Sequence, residues 1–517
     1  MSAGPATGPL VVVGDALLDR DVDGQVRRLC PDAPAPVLED QAPACRPGGA
    51  ALAALMAARD GVPVVLVAAL GEDEASQTVL GLLASTVTVV RLPMDGSLPE
   101  KTRFRAGGRT LLRADRGDGA AAAPGSGPGP GLGLGSRDAV DAIASAAAVL
   151  VSDYGRGVTA DPEVRAALER QAGRVPLVWD PHPRGAPPVP RARLVTPNYA
   201  EAAGVTGRAG PPTVASAAAA ARDLGQRWSA DAAAVTVGEH GAVLVQGGTG
   251  PLVVPAERLA VTDPCGAGDR FAATAALALR AGAVTSEAVT LAVAAASCYL
   301  ADGGVARYST PERSLRSLRS HQPHQPHQAH RSHQSYQPQK THELSEVDEA
   351  SGPGPAQVAG PRAGEGPAGL ARRVRAAGGT VVATGGCFDL LHAGHVSLLE
   401  TARSLGDCLI VCLNSDDSVR RLKGDGRPLN HAADRAAVLA ALGSVDAIAV
   451  FEEDTPCAML DRLRPDIWVK GGDYDGRELP EAALLETWGG VAVTVPYLSG
   501  RSTTRLAEAA RDDAGLR

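Results

Sequence analysis

Aromatic side chains make up only 3% of this 517-residue sequence. Its cores must therefore be filled by Ala, Val and Leu, for which the 44% apolar content is ample. The cysteines, at positions 30, 45, 265, 298, 387, 408, 412 and 457, include no C-x-x-C pair. That pattern excludes a zinc ribbon or a small disulfide scaffold and fits a reducing cytoplasm. No apolar run reaches the ~18 residues of a membrane span, and the opening MSAGPATGPL has neither the basic nor the apolar segment of an export signal. A formal charge of -8 with no basic stripe argues against a nucleic-acid partner, because phosphate neutralisation needs a basic face. The expectation is a cytoplasmic protein with neither membrane nor nucleic acid as partner.

The chain is longer than one ordinary domain of roughly 100–200 residues. Short Val/Leu runs between Ala-rich stretches, PLVVVGD, PVVLVAALG, AVLVSD, PLVWDP, LVTPN and AAVTVGEHGAVLV, predict strands buried on both faces of a mostly parallel sheet across residues 1–310. Within that half, AAAAPGSGPGPGLGLGS at 120–136 is too rich in Gly and Pro for a helix or strand and reads as an insertion. Residues 311–370 cannot bury a core and read as a tether. The tether's histidines 321, 324, 327, 330 and 333 recur every third residue, which leaves metal buffering open beside the plainer reading of a polar linker. A second alternation fills 371–517: TVVATGG, CLIVCLN, AIAVFEED, IWVKGGD and AVTVPYL as strands, with helices between them. The fold class is α/β throughout, a larger domain followed by a smaller Rossmann-like one.

In DPCGAGDRFAATAALAL, Gly266 and Gly268 allow backbone N–H groups to crowd one point, and the Ala-rich run after Asp269 predicts a helix whose N-terminus faces it. Such a nest with a helix dipole binds anions. An aspartate there repels phosphate unless it serves as a base for the attacking hydroxyl. A tight turn before a core helix is the plainer alternative. In PEKTRFRAGGRTLLRAD, the basic residues Lys101, Arg103 and Arg113 alternate with apolar positions as on a strand with one polar face. They are either a solvated sheet face or a clamp for a phosphate on the substrate.

Over about 9–310, GDALLD, RPGGAALAA, GEDEA, TPNYAE and DPCGAGD stand in an order that resembles the ribokinase family of sugar kinases. The resemblance implies Asp269 as general base and the N–H groups of Gly266, Ala267 and Gly268 as an anion hole. It also implies Asn198 and Glu201 near the phosphates of ATP and its Mg2+, and Asp15, Asp19, Gly48 and Gly49 at the sugar. Leu52 departs from that pattern, which usually has asparagine there, and Cys265 replaces the commoner threonine.

TGGCFDLLHAGH delivers His392 and His395 to a predicted loop-to-helix junction. The positive helix end welcomes a phosphate and disfavours a cation, and no third metal ligand is near. Metal binding and simple packing stay as the other readings. The segment resembles the H-x-G-H signature of the nucleotidyltransferase superfamily that includes cytidylyltransferases, over about 378–510. That likeness implies a triphosphate cradle of His392, His395 and Lys423, with Gly386, Phe388, Asp389, Arg427, Ser502, Thr503 and Thr504 around it and no resident metal. Lys470 belongs to the same pattern, and Gly385 stands where relatives often carry asparagine.

A ribokinase-like domain followed by this second domain resembles the bifunctional family that makes ADP-heptose, by heptose 7-phosphate kinase and heptose 1-phosphate adenylyltransferase reactions. It implies sugar phosphates and ATP as the small-molecule partners and a homodimer through the kinase domain. Arg156 in SDYGRG and His182 in WDPH replace lysines of that family. Another sugar, another triphosphate, or one silent regulatory domain are the alternatives.

Overall fold

The structure is a computed structural model that describes residues 8–40, 43–122, 134–208, 210–259, 263–311, 365–472 and 479–496. The Val/Leu runs form strands as expected. Leu10–Gly14 is buried at every position and lies between Ala148–Ser152 and Val64–Ala69, parallel to both. Alternate side chains serve opposite faces: Val11 and Val13 join one core cluster, Leu10 and Val12 the other. Each such fully buried side chain contributes about 1.5–3 kcal/mol of transfer free energy, so the helices on both faces are held by the strands they cover.

From one edge, the kinase-half strands run Thr88–Leu92, Val64–Ala69, Leu10–Gly14, Ala148–Ser152, Leu177–Asp180, Leu194–Val195, Ala232–Thr236, Ala242–Gln246 and Leu252–Val254, the last two antiparallel. Strand order therefore reverses direction beside Leu10–Gly14, between it and Ala148–Ser152. That is a topological switch point, where loops leaving adjacent strand ends part and open a crevice.

A second, 6-stranded sheet stands over this crevice. Its spine is Ala16–Leu29, paired with Ala44–Gly49, Pro36–Asp40 and Glu100–Ala106, and the last of these pairs with Arg109–Arg116. Lys101 and Arg103 flank the buried Thr102 on Glu100–Ala106, and Arg103 lies opposite Arg113. Within this lid Arg46, on Ala44–Gly49, is wholly buried and ion-paired with Asp21, with Asp19 3.9 Å away.

In the second half the order is Ala447–Phe451, Cys408–Asn414, Val381–Gly386, Ile467–Gly471, Val491–Val495, all parallel. The switch point lies between Val381–Gly386 and Ile467–Gly471, at the strand end that runs into the histidine motif. The helix Pro367–Ala376 begins inside the stretch expected as linker, because Leu370, Ala371 and Val374 bury against this sheet. A single parallel bridge, Leu252 to Thr494, joins the edges of the two sheets. No described helix is long and apolar enough to cross a membrane. The histidine tether lies outside the described residues, as does most of the Gly/Pro insertion.

Removing one partner of a buried ion pair strands the other charge, at a cost of about 3–5 kcal/mol. Arg46→Ala is therefore expected to lower the urea midpoint of the kinase half by that much stability, and an unchanged midpoint would show that the pair does not hold the lid.

Candidate active sites

The first site is built where Gly14 and Ser152 end their strands. Asp15 is buried, and its carboxylate accepts backbone N–H bonds from Tyr154 at 2.9 Å, Arg156 at 2.8 Å and Val158 at 3.4 Å. Asp15 thus holds the SDYGRG loop in place, a task its expected role at a sugar hydroxyl did not include. Burial raises its pKa, partly offset by those donors. Asp19 accepts from Arg103 at 3.0 Å, and Gly48 is needed beside it, since a Cβ there would meet Asp19 Oδ2 at 2.7 Å. Gly49 has φ 59° and a Cβ would strike the Asp15 carbonyl at 2.5 Å. Arg113 points outward and pairs with Asp115 at 2.6 Å. Lys101 lies 5.4 Å from the centre of the Tyr154 ring, and burial followed by nearby arginines lowers its pKa despite the Asp19 charge.

The helix at the anion loop spans Ala267–Arg280, with Gly266 at φ 80° as its N-cap. It starts earlier than the Ala-rich run suggested, so Asp269 sits in its first turn. Ala267 gives its N–H to the Pro264 carbonyl at 3.2 Å. Among the described residues this leaves the Gly266 and Gly268 N–H groups as the donors available to a phosphate. Asp269 is buried, and its pKa is raised to about 7 by burial, opposed by a hydrogen bond from Tyr154. Beside Ala267 and Gly268 opens a cavity of about 350 Å³ lined by Gly238, Gly241, Ala256, Phe271, Val293 and Leu300. Its apolar walls and neighbouring N–H groups suit a nucleobase with its phosphates at the helix end. Asn198 and Glu201 form a capping box on the helix Tyr199–Thr206, each bonding the other's backbone. Asp180 is held far above the usual carboxylate range by burial and then by the charges of Asp269 and Glu201.

In the second site His392 caps the helix Ala393–Ser404, its Nδ1 accepting the Gly394 N–H at 3.2 Å. An accepting Nδ1 puts the proton of the neutral ring on Nε2. The His395 ring stacks on His392 with centroids 3.9 Å apart, and its Nδ1 is buried with no hydrogen-bond partner among the described residues. Burial, then His392 and Lys423, lowers the His395 pKa to about 4. Packing alone leaves that nitrogen unsatisfied, and no cluster of metal ligands occurs among the described residues. Phe388 is buried at φ 45° with Gly386 against its ring, 3.2 Å from where a Cβ would stand.

Asp389 is buried and stitches two loops together. It accepts from Arg427 at 2.7 Å and from the N–H groups of Leu429 and Asn430 at 2.7 and 3.0 Å. These bonds lower its pKa against the effect of burial. Arg427, expected at the nucleotide, is thus engaged by Asp389. Lys423 ends the helix Asp416–Lys423. Ser502, Thr503 and Thr504 lie outside the described residues.

With two phosphate-receptive crevices on one chain, the comparisons become decisive. Residues 9–313 match the pfkB family of carbohydrate kinases, and residues 383–498 match the cytidylyltransferase-like family. The bifunctional protein HldE of Streptomyces coelicolor is 50% identical over 98% of this chain and 97% of its own. The chain belongs to the bifunctional HldE family. HldE of Azorhizobium caulinodans is 36% identical over 99% of this chain and 100% of its own. A ribokinase from Arabidopsis thaliana, solved with ribose and ATP, is 22% identical, covering 61% of this chain and 99% of its own at TM-score 0.46. The chain is accordingly an enzyme, a sugar kinase fused to a nucleotidyltransferase.

The departures from family pattern have local causes. Leu52 packs with Met56, Tyr299 and Val305 beneath the anion loop, 3.3 Å from where a Gly266 Cβ would stand, so it supports the loop from below. His182 is kept below its usual pKa by burial and by Arg184, so it brings no charge near neutrality. At Gly385 a Cβ would meet the Trp468 ring at 2.5 Å, and Trp468 is fully buried. The indole fills the space that a larger residue at 385 requires. Sequence reasoning did not assign Tyr154, Asp180 or Arg435. Arg435 is buried and donates to the carbonyls of Cys387, Asn414 and Asn430 and to Asp416, tying the motif loop to its neighbours. Nothing local distinguishes it, since ADRAAVLAAL reads as an ordinary amphipathic helix.

Overpacking a core costs about 1–3 kcal/mol. Gly385→Asn is expected to lower the melting temperature of the second half, and adding Trp468→Leu to regain most of the loss; no recovery in the double variant would mean that the indole is not the obstacle.

Proposed function

We propose that the kinase half transfers the γ-phosphoryl group of ATP to the C1 hydroxyl of D-glycero-β-D-manno-heptose 7-phosphate. After a separate phosphatase removes the 7-phosphate, the second half transfers AMP from ATP to heptose 1-phosphate and releases pyrophosphate. The observation that carries the first reaction is the buried Asp269, poised near neutrality one residue after the Gly268 N–H. It takes the proton as the C1 oxygen attacks, while the Gly266 and Gly268 N–H groups meet charge growing on the transferred phosphoryl. Lys101 and Arg103 face the substrate from the lid, and a phosphate already on the sugar gives their charge a purpose.

Magnesium fits this site with ATP rather than as a caged ion. It keeps water and needs only one or two carboxylates beside the phosphates, and the neighbouring Asp180 and Glu201, whose raised pKa values a cation would relieve, would hold it. The ion would supply neutralisation of phosphate charge during transfer.

In the second half no covalent intermediate is needed. The sugar phosphate oxygen attacks the α-phosphorus, and the His392 and His395 N–H groups, with Lys423, hold the triphosphate. The His395 Nδ1, unpartnered among the described residues, supports this reading, since a neutral imidazole proton there is a ready donor to phosphate. The free state of the cysteines supports a cytoplasmic enzyme. Val26, Leu29, Leu111 and Leu112, exposed on the lid sheet, support a homodimer through the kinase half.

Mass analysis of products from heptose 7-phosphate with ATP, and from heptose 1-phosphate with each triphosphate, tests both reactions. Asp269→Asn should reduce only the first, by about 10²–10⁴-fold, and His392→Ala only the second; retention of both activities overturns the assignment. Because the base must be ionised, the kinase rate should fall as pH drops below about 7. A Leu29→Asp, Leu112→Asp variant should sediment as a monomer where the parent sediments as a dimer.

A further inference from the structure

Tyr154 follows the strand Ala148–Ser152 at the switch point, and buried carboxylates on both sides fix its position. Asp15 accepts its N–H at 2.9 Å, while Asp153 accepts from Gly155 N at 2.8 Å and Thr159 Oγ1 at 2.6 Å. The Tyr154 hydroxyl donates to Asp269 Oδ1 at 3.1 Å. Its ring stacks with His182 at 6.0 Å and lies under Lys101 Nζ at 5.4 Å.

We infer that Tyr154 is the positioning residue of the kinase half: its hydroxyl holds one oxygen of Asp269 so that the other faces the attacking sugar hydroxyl, while its ring joins that carboxylate to the cationic end of the sugar site. The inference rests on Asp269 being the base. With Oδ1 occupied, Oδ2 is the proton acceptor, and the carboxylate cannot rotate freely. The hydroxyl remains a donor at every working pH, because burial and then the Asp269 and Asp180 charges push its own ionisation far upward. The groups acting on Asp269 are Tyr154, Asp19 and Lys101, with Asp180 close by, and Tyr154 also feels Cys265. Of these, only Tyr154 bonds the carboxylate directly. A sugar phosphate drawn to Lys101 therefore meets the ring that orients the base, so substrate seating and proton acceptance share one side chain.

Tyr154→Phe removes the hydroxyl and keeps the ring. Losing one hydrogen bond to a carboxylate should lower the kinase kcat about tenfold and move the acid limb of its pH profile upward by roughly half to one unit. The KM for ATP, the melting temperature and the transferase rate should stay as in the parent. Tyr154→Leu should in addition raise the KM for the sugar phosphate several-fold, because it also removes the ring from Lys101 and His182. If Asp269→Asn keeps kinase activity, the base assignment itself fails. If Asp269→Asn is inactive while Tyr154→Phe keeps the parental kcat and acid limb, Asp269 stands and the role given to Tyr154 is wrong. A fall in melting temperature with an unmoved acid limb in both Tyr154 variants equally overturns it, since that is the signature of packing alone.

Discussion

When neighbouring strands of a parallel sheet send their crossovers to opposite faces, the loops at their carboxyl ends must separate, and both halves of this enzyme are arranged around the gap that results. In the kinase half the gap lies between Leu10–Gly14 and Ala148–Ser152, and in the second half between Val381–Gly386 and Ile467–Gly471. A helix start near each gap supplies backbone N–H groups and the positive end of its dipole. Phosphate chemistry follows from that placement; what differs is the side chain nearest the helix start. Asp269 can accept a proton, which suits an alcohol nucleophile. In the proposed transferase reaction His392 and His395 donate instead, which suits a nucleophile that is already an anion.

Much of this was readable in the sequence because parallel strands buried on both faces leave unbroken Val/Leu runs, and because Gly266, Gly268 and the histidine pair carry their chemistry within a few consecutive residues. The lid was harder to see. Its spine, Ala16–Leu29, is ALLDRDVDGQVRRL, in which charge alternates with small or apolar residues and no run marks a strand. The working partners of Asp15 were equally hidden, since they are backbone N–H groups about 140 residues away, and a backbone donor leaves no trace in residue identity. Tyr154 lay within a motif that was noticed, yet its bond to Asp269 spans 115 residues and belongs to the folded arrangement alone.

Two departures from the family pattern, Leu52 and Gly385, sit in tightly packed surroundings. Leu52 supports the anion loop from beneath, and Gly385 yields its space to Trp468. In both places the substitution is understood only with its neighbour, because protein interiors are filled jointly and one residue's volume sets what the next can be.

The kinase helix fixes distances within its own site. Gly268 and Asp269 are consecutive in the first turn of the helix Ala267–Arg280, so the spacing between the proposed base and the Gly268 N–H is set by helix geometry, about 1.5 Å of rise per residue. That spacing belongs to one helix and does not depend on the lid sheet, whose strands set instead where Lys101 and Arg103 stand.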